Sequence, residues 1–425
     1  MHVLTRVRRS EFLRHNAIFF VGSVVTGVLN YAYYPVLGRM LRPAAFGEVQ
    51  TLISLFLQLT IFLSVLGLVT VNIVANYRSI NQRNAVVLEF ERLALVVACG
   101  LLAATIIFEK QLVHFLRFSD VWPFLLLMIA LVVTVPGTFR AAYLRGVKSF
   151  GRAAGFNVLA AGGKLVFSIL LVLIGLGTAG AIGGLIMAQL VAWLFAATST
   201  RRFGLAAGSE SRWRLPSAKL LAPELRYGAF VLCGSLLVTL QYSLDVLVVK
   251  HFFDPHTAGL YAGVASVARI IFFLTAPVAL VLMPLVKTGA APAANRKTLV
   301  KSLALFAMAG TPPLVVSMVY PQETLRLLMG HAYASMAFLL PLLSLAVFII
   351  SLLNVVIAYF LALRSYSILP AMATGALVTY GLLFARHATL RAVILDILFG
   401  SLAMLVAVCA WAGTSTLKEL AWQKS

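Results

Sequence analysis

The sequence predicts an all-α integral membrane protein with twelve transmembrane helices in two pseudo-symmetric six-helix lobes. Three observations carry that prediction. The first is composition: 61% of the residues are hydrophobic and 11% charged, with a mean hydropathy of +0.99, whereas soluble domains carry about a quarter charged residues. The second is a long-range echo. Residues Gly22 to Gly47 read GSVVTGVLNYAYYPVLGRMLRPAAFG, and 212 residues later Gly234 to Gly259 read GSLLVTLQYSLDVLVVKHFFDPHTAG. Gly22 falls on Gly234, Ser23 on Ser235, Pro43 on Pro255 and Gly47 on Gly259, without a gap. The third is an uneven distribution of Lys and Arg between the two ends of the predicted spans.

Each copy of the echo is an apolar helix of about membrane length, closed by a Pro-x-x-x-Gly turn that starts the next helix. Lipid offers no partner for backbone N–H and C=O groups, so spans are helices or a closed barrel. Apolar runs of about twenty residues without strict alternation select helices. They lie near 16–38, 47–75, 91–108, 121–144, 156–175 and 179–200. After a break they resume near 227–249, 258–286, 299–319, 333–361, 366–385 and 392–412. The break, Arg201 to Arg226, is the only long polar stretch. It divides the chain into an N-terminal lobe (1–205), a cytoplasmic linker (206–226) and a C-terminal lobe (227–425).

A second echo supports the duplication. Tyr143 leads into Lys148-Ser149-Phe150, and Tyr359 into Arg364-Ser365-Tyr366, at an offset of 216 that a few inserted loop residues would produce. Prolines at 35, 136, 277, 284 and 341 interrupt the spans; each removes a backbone hydrogen bond and invites a kink. Cys99, Cys233 and Cys409 sit inside apolar runs and read as small buried packing residues, without a disulfide or metal spacing.

On alternate sides of this map, 24 Lys and Arg stand against 8, with two more inside spans. The rich side holds the N-terminus (Arg6, Arg8, Arg9, Arg14), Arg83, Arg140, Arg145, Lys148 and the linker cations; the poor side includes Arg39, Arg42 and Lys250. The positive-inside rule puts both termini in the cytoplasm, in the inner (plasma) membrane. Lobes entering from the same side are parallel repeats about an axis along the membrane normal, with a substrate site between them. The net charge of +21 is explained by these loops and by anionic lipid headgroups, so nucleic acid is not expected as a partner. The basic start precedes a full-length span, so it reads as a retained first helix and not a cleaved signal.

Within span 1, Ser23, Gly27, Asn30 and Tyr34 share one helical face. Span 7 carries Ser235, Thr239 and Tyr242 on the matching face, flanked by Gln241 and Asp245. Such stripes face protein or water, either lining a cavity or holding helices together. Four ionisable residues lie within spans: Lys164, Arg269, Asp245 and Asp396. A cation at mid-membrane costs about 2.5–3.5 kcal/mol, so it needs a partner or a wet cavity. Asp245 is positioned to pair with Arg269 on the next span, and Asp396 lies near the outer end of span 12. Lys164, beside Gly162 and Gly163, has no partner nearby in sequence; a carbonyl or water there is the structural alternative to a functional role. The candidate substrate-binding set is Lys164, Arg269, Asn30, Tyr34, Gln241, Tyr242 and Asp245. There is no Walker loop, dinucleotide fingerprint or His pair at metal spacing, so no cofactor, metal or catalytic residue is expected.

The hairpin pattern GxxxxxxxNY followed by GRMLRPAAFGE resembles the start of polysaccharide transporter family proteins, the Wzx-type flippases. Asp245 followed by FFDPHTAGLYAGVASVARIIFFLTAPVALVLMP is similar to the same family, as is Met329-Gly330-His331-Ala332-Tyr333 before span 10. The resemblance runs through the whole chain in order. It implies the fold of the MOP (multidrug/oligosaccharidyl-lipid/polysaccharide) superfamily. It also implies alternating-access movement of a polyprenyl-pyrophosphate-linked oligosaccharide to the outer leaflet, through a V-shaped cavity. Partners would be the lipid-linked saccharide, membrane lipids and polysaccharide-assembly enzymes. Two buried cations suit a pyrophosphate, while a site for organic cations wants buried carboxylates.

The alternatives are a MATE-type cation-coupled multidrug antiporter and a membrane-embedded polymerase or ligase. The last is disfavoured because every external loop is short. Typical lipid II flippases have two further helices and an acidic-Gly-Ala-Phe signature, both missing here, and span 1 lacks the acidic residue of many drug extruders. Cysteine labelling on intact cells tests the topology. An external reagent is expected to modify a cysteine at Ala44 and spare one at Ser211; the reverse pattern overturns the orientation.

Overall fold

The echoed hairpin appears in the computed structural model as two helix pairs with matching ends. The structure describes residues 2–77, 79–205, 218–286, 292–363 and 365–422. In chain order the helices are α1 (His2–Met40), α2 (Pro43–Asn76), α3 (Ile80–Ile107), the short α4 (Glu109–Leu116), α5 (Trp122–Gly146), α6 (Phe150–Leu173) and α7 (Gly177–Arg201). They continue as α8 (Ala218–Phe252), α9 (Pro255–Ala268), α10 (Ile270–Leu285), α11 (Pro292–Val319), the short α12 (Pro321–Leu328), α13 (Leu340–Ala362), α14 (Leu369–Ala385) and α15 (Leu390–Trp422). Stretches of 3₁₀ helix, His331–Leu339 and Tyr366–Ile368, lead into α13 and α14. Most of the polar linker, 206–217, lies outside the described residues, as do the cations Arg78, Arg212, Arg214, Lys287, Arg364 and Lys424.

The duplication is written into the helix ends. The end of α1 and the start of α2 recur 212 residues later as the end of α8 and the start of α9. Both ends of α3 recur at that offset in α11, and both ends of α4 in α12. The end of α5 and the start of α6 then recur 216 residues later, at the end of α13 and the start of the 3₁₀ turn before α14. Inserted residues therefore lie between α12 and the end of α13, where the long 3₁₀ segment sits. Proline sets the matching starts: Pro43 opens α2 and Pro255 opens α9, where the missing N–H costs nothing. Asp254 caps α9, accepting from the backbone N–H of His256 at 3.1 Å and of Thr257 at 3.0 Å. Hydrogen bonding from the Thr257 side chain and backbone holds its carboxyl below the usual carboxylate range.

Each of the twelve expected spans falls on a helix or a bent helix pair, though not one helix to one span. Nine helices are long and apolar enough to cross a membrane singly, among the described residues. A tenth crossing is the pair α9 and α10, bent by 41°. α14 is apolar but only 17 residues long. Large apolar side chains such as Val97, Ile107, Ile174, Leu194 and Met308 are exposed, as a lipid-facing surface requires. On α1 the exposed Val21, Val24, Val25 and Val28 form one face, turned away from the stripe Ser23, Gly27, Asn30 and Tyr34.

Several sequence expectations need correcting. The three cysteines are free and exposed, on the apolar surface instead of in the core. Pro341 lies within the span His331–Ala362, where 3₁₀ helix gives way to α13, while Pro312 and Pro313, not anticipated, lie inside α11. The 41° bend falls at Arg269, eight residues before Pro277. Arg140 belongs to α5 and not to the loop after it; it is 5% exposed and lies 3.5 Å from Glu91 of α3. Lys250, also counted with the loops, is 1% exposed and 3.9 Å from Glu48.

The chain forms two compact units: Met1–Leu41 with Leu55–Ala229, and Arg42–Ser54 with Phe230–Ser425. In the first, α6 packs on α7 so closely that a Cβ at Gly184 would meet the Ser168 backbone N at 2.3 Å. In the second, the first turns of α2 and α9 cross at the two echoed glycines. A Cβ at Gly259 would lie 1.9 Å from the Pro43 carbonyl oxygen, and one at Gly47 would lie 2.8 Å from Gly259 Cα. Phe46 packs edge-on against Tyr333, ring centroids 6.1 Å apart. Both backbones must shift to admit a methyl group at Gly259. Gly259→Ala is expected to cost about 1–3 kcal/mol, lowering the melting temperature of the detergent-solubilised protein. Gly27→Ala, with open space around the added methyl, is expected to leave melting unchanged. Equal melting of the two variants would show that the close crossing does not matter.

Candidate functional site

Six of the seven sequence candidates fall in two buried polar clusters, one in each unit. In the first unit, Lys164 of α6 is 8% exposed. Its Nζ donates to Asn30 Oδ1 of α1 at 2.8 Å and lies 4.4 Å from the centroid of the Tyr33 ring. Glycine brings the helices together here. Gly163 faces Ala188 of α7, and Gly162 faces Leu29 of α1. The Tyr33 hydroxyl donates to the Ala181 carbonyl at 3.4 Å, and Ser168 Oγ donates to the same oxygen at 2.8 Å. That anchor orients the ring under the ammonium. Tyr34, 5% exposed, stands edge-on to Tyr33 at 5.6 Å. Lys164 thus finds its partner on α1, not at a carbonyl of the Gly162-Gly163 segment. No carboxylate pairs with it among the described residues. An ammonium has three donors, and Asn30 takes one.

In the second unit, Arg269 sits at the junction of α9 and α10 and is 2% exposed. Its Nη2 donates to Asp245 Oδ1 of α8 at 2.6 Å, and the Tyr261 hydroxyl donates to Asp245 Oδ2 at 2.9 Å. The guanidinium lies 4.9 Å from the centroid of the Tyr242 ring, which packs on Phe272 at 4.4 Å. Both carboxylate oxygens are therefore engaged, and the ion pair carries no net charge. Gln241 points elsewhere, donating from Nε2 to Thr379 Oγ1 of α14 at 2.8 Å; its Oε1 has no hydrogen-bond partner among the described residues. Since α8 and α14 repeat α1 and α6, the two units share one device. A buried polar bridge ties the first helix to the fifth span, as Asn30–Lys164 in one unit and Gln241–Thr379 in the other. Only the first is charged.

Three participants escaped the sequence reading: Tyr33, Tyr261 and Thr379. Tyr33 follows Asn30 by three residues and Tyr261 precedes Arg269 by eight, both on shared helical faces. Helical spacing was the signal that pointed to them. Thr379 carried none, because its partner is 138 residues away.

The family follows from residues 12–290, about two thirds of the chain, which match the model of the polysaccharide biosynthesis protein family. The chain belongs to that family. No curated protein sequence matches it. Among solved structures it is similar to an inward-facing multidrug resistance MATE family transporter of the MOP superfamily. That match has a TM-score of 0.74 and 16% identity over 93% of this chain and 96% of the other. An outward-facing structure described in the same terms gives 0.66 and 14%, over 94% and 95%. A MOP superfamily transporter from Pyrococcus furiosus, described as having a binding pocket of reverse polarity, gives 0.63 and 15%, over 95% and 94%. At these identities the likeness shows the fold. This family member is a multi-pass membrane protein with the fold of MOP-superfamily transporters.

The Asp245–Arg269 pair makes a direct prediction for the family fold. Removing one charge leaves the other buried and unpaired, which costs about 3–5 kcal/mol, while replacing both with apolar residues of similar volume is close to neutral. Asp245→Asn alone is expected to lower the melting temperature, and Asp245→Leu with Arg269→Met to restore most of it. An Asp245→Asn protein that melts like the wild type would remove the pair from the structural account.

Proposed function

We propose that this protein carries a polyprenyl-pyrophosphate-linked oligosaccharide from the inner to the outer leaflet by alternating access. It acts without chemical conversion of its cargo, in the plasma membrane, with both termini in the cytoplasm. The observation that carries the proposal is Lys164: a buried lysine with no carboxylate partner among the described residues, in a chain of the polysaccharide biosynthesis family. A pyrophosphate crossing hydrocarbon loses its hydration, and an ammonium with donors to spare replaces it with charge-assisted hydrogen bonds. Asn30 holds that ammonium, and with Tyr34, edge-on to Tyr33, it takes the polar flank of the head. Arg269 enters as a second cation, tethered by Asp245 and stacked on Tyr242, with Gln241 on the same helix.

One feature favours a second reading, the cation-coupled multidrug antiporter. Asp396 is 1% exposed and its Oδ2 has no hydrogen-bond partner among the described residues. A buried carboxylate of that kind suits a proton or cation.

Deletion and complementation separate the readings. Loss of the gene is expected to abolish surface polysaccharide and accumulate its lipid-linked precursor. Lys164→Gln is expected to fail to restore it at normal membrane levels, and Lys164→Arg to restore part. Asp245→Asn with Arg269→Gln keeps the cluster neutral and tests Arg269 apart from folding. Full restoration by Lys164→Gln would remove Lys164 from the site. Normal polysaccharide in the deletion strain, with new sensitivity to cationic dyes that Asp396→Asn fails to relieve, would establish the antiporter instead.

A further inference from the structure

Away from both polar clusters, the first unit has a cavity of about 630 Å³ at one end of its helices. It lies where α2 ends, α3 begins, and α5 and α7 end. Arg83, Lys148 and Arg202 line it, together with apolar Val74, Ile80 and Phe203, and no carboxylate does among the described residues. Arg83 is half-buried, while Lys148 and Arg202 are exposed. Arg83 donates from Nε to the Tyr77 carbonyl at 2.5 Å, which fixes the guanidinium. Lys148 adopts a left-handed backbone, φ 60°, rare for a residue with a side chain and a known mark of functional loops. Arg202 follows the last turn of α7, and Tyr143 pins the adjoining turn by donating to the Phe203 carbonyl at 3.0 Å. A fourth cation, Arg152, stacks over the Phe203 ring at 5.2 Å.

We infer that this cavity binds the phosphate of an anionic phospholipid headgroup. Three cations with no carboxylate among the described lining residues suit an anion, and phosphate accepts from several donors at once. The apolar wall chooses the source. A free phosphate gains nothing from Val74, Ile80 and Phe203, whereas the glycerol and first methylenes of a lipid bury against them. The cavity also lies at the ends of membrane-spanning helices, where lipid is always at hand. Its cations all belong to the side of the chain rich in Lys and Arg, where anionic headgroups concentrate. Nothing in this inference depends on what the protein transports.

Native mass spectrometry of the full-length protein in detergent, with phosphatidylglycerol, phosphatidylcholine or inorganic phosphate added, tests it. The wild type is expected to retain phosphatidylglycerol in preference to phosphatidylcholine. Lys148→Asn, which tolerates the left-handed backbone, and Arg202→Gln are each expected to weaken retention roughly fivefold, and together about 25-fold. Arg202→Lys, which keeps the charge, is expected to retain the lipid and so guards against a folding artefact. Equal retention by the wild type and the double variant overturns the inference, as does loss of lipid from a normally melting Arg202→Lys protein. Displacement of phosphatidylglycerol by inorganic phosphate at equal concentration also overturns it, in favour of a free-anion site. Because the readout is binding, a failed flippase assay leaves the result standing.

Discussion

A charge inside a membrane-spanning helix has to be satisfied by another helix, because lipid offers it nothing. Much of this structure follows from that constraint. Arg269 reaches Asp245 at 2.6 Å, from the junction of α9 and α10 to α8. Arg140 reaches Glu91 from α5 to α3. Lys250 at the end of α8 lies beside Glu48 at the start of α2. In each case a cation meets a carboxylate and the local charge cancels. Lys164 is treated differently: it receives an amide oxygen and an aromatic face, and no carboxylate among the described residues. An amide and a ring stabilise an ammonium without neutralising it, which is the state a binder of anions requires.

Duplication explains why the two units solve the same packing problem with different chemistry. The end of α1, the start of α2 and both ends of α3 and α4 repeat at one offset in α8, α9, α11 and α12, so the spacing of the scaffold has been kept there. What differs is the bridge between the first helix and the fifth span. In one unit it is Asn30 with Lys164, and in the other Gln241 with Thr379. A neutral bridge suffices to hold two helices together. Cohesion alone does not require a lysine at such a bridge, and the Gln241–Thr379 pair manages without one.

The fold was legible in the sequence because its signals are local. Proline opens α2 and α9, glycine permits their close crossing, and apolar runs of membrane length mark the spans. The short helices α4 and α12 were read as loops, because eight residues give too little periodicity to stand out. Lys and Arg were counted as loop residues where the structure buries Arg140 and Lys250, since a helix continues past the apolar run that reveals it. The clusters were half legible. Asp245 with Arg269 was readable because both sit on adjacent helices of one hairpin. The partner of Lys164 was not, because α1 and α6 meet only in the tertiary fold, 134 residues apart. The choice of Tyr34 over Tyr33 shows the same limit: helical phase selects a face, and the neighbouring helix decides which ring on it is used.

Electrostatics narrows what such a pair of clusters can bind. A site for an organic cation needs a carboxylate that is not already spoken for. Asp245 accepts from both Arg269 and Tyr261, so a cation would have to displace a guanidinium at hydrogen-bonding distance. An anion meets no such obstacle at Lys164, where two donors of the ammonium remain after Asn30. Lysine also suits a transient cargo better than arginine. Its charge is compact and its donors rotate, so it follows a moving phosphate without the fixed fork geometry that holds Arg269 to Asp245. One cluster is therefore closed on itself as an ion pair, while the other leaves a lysine held by an amide and a ring, with no carboxylate among the described residues.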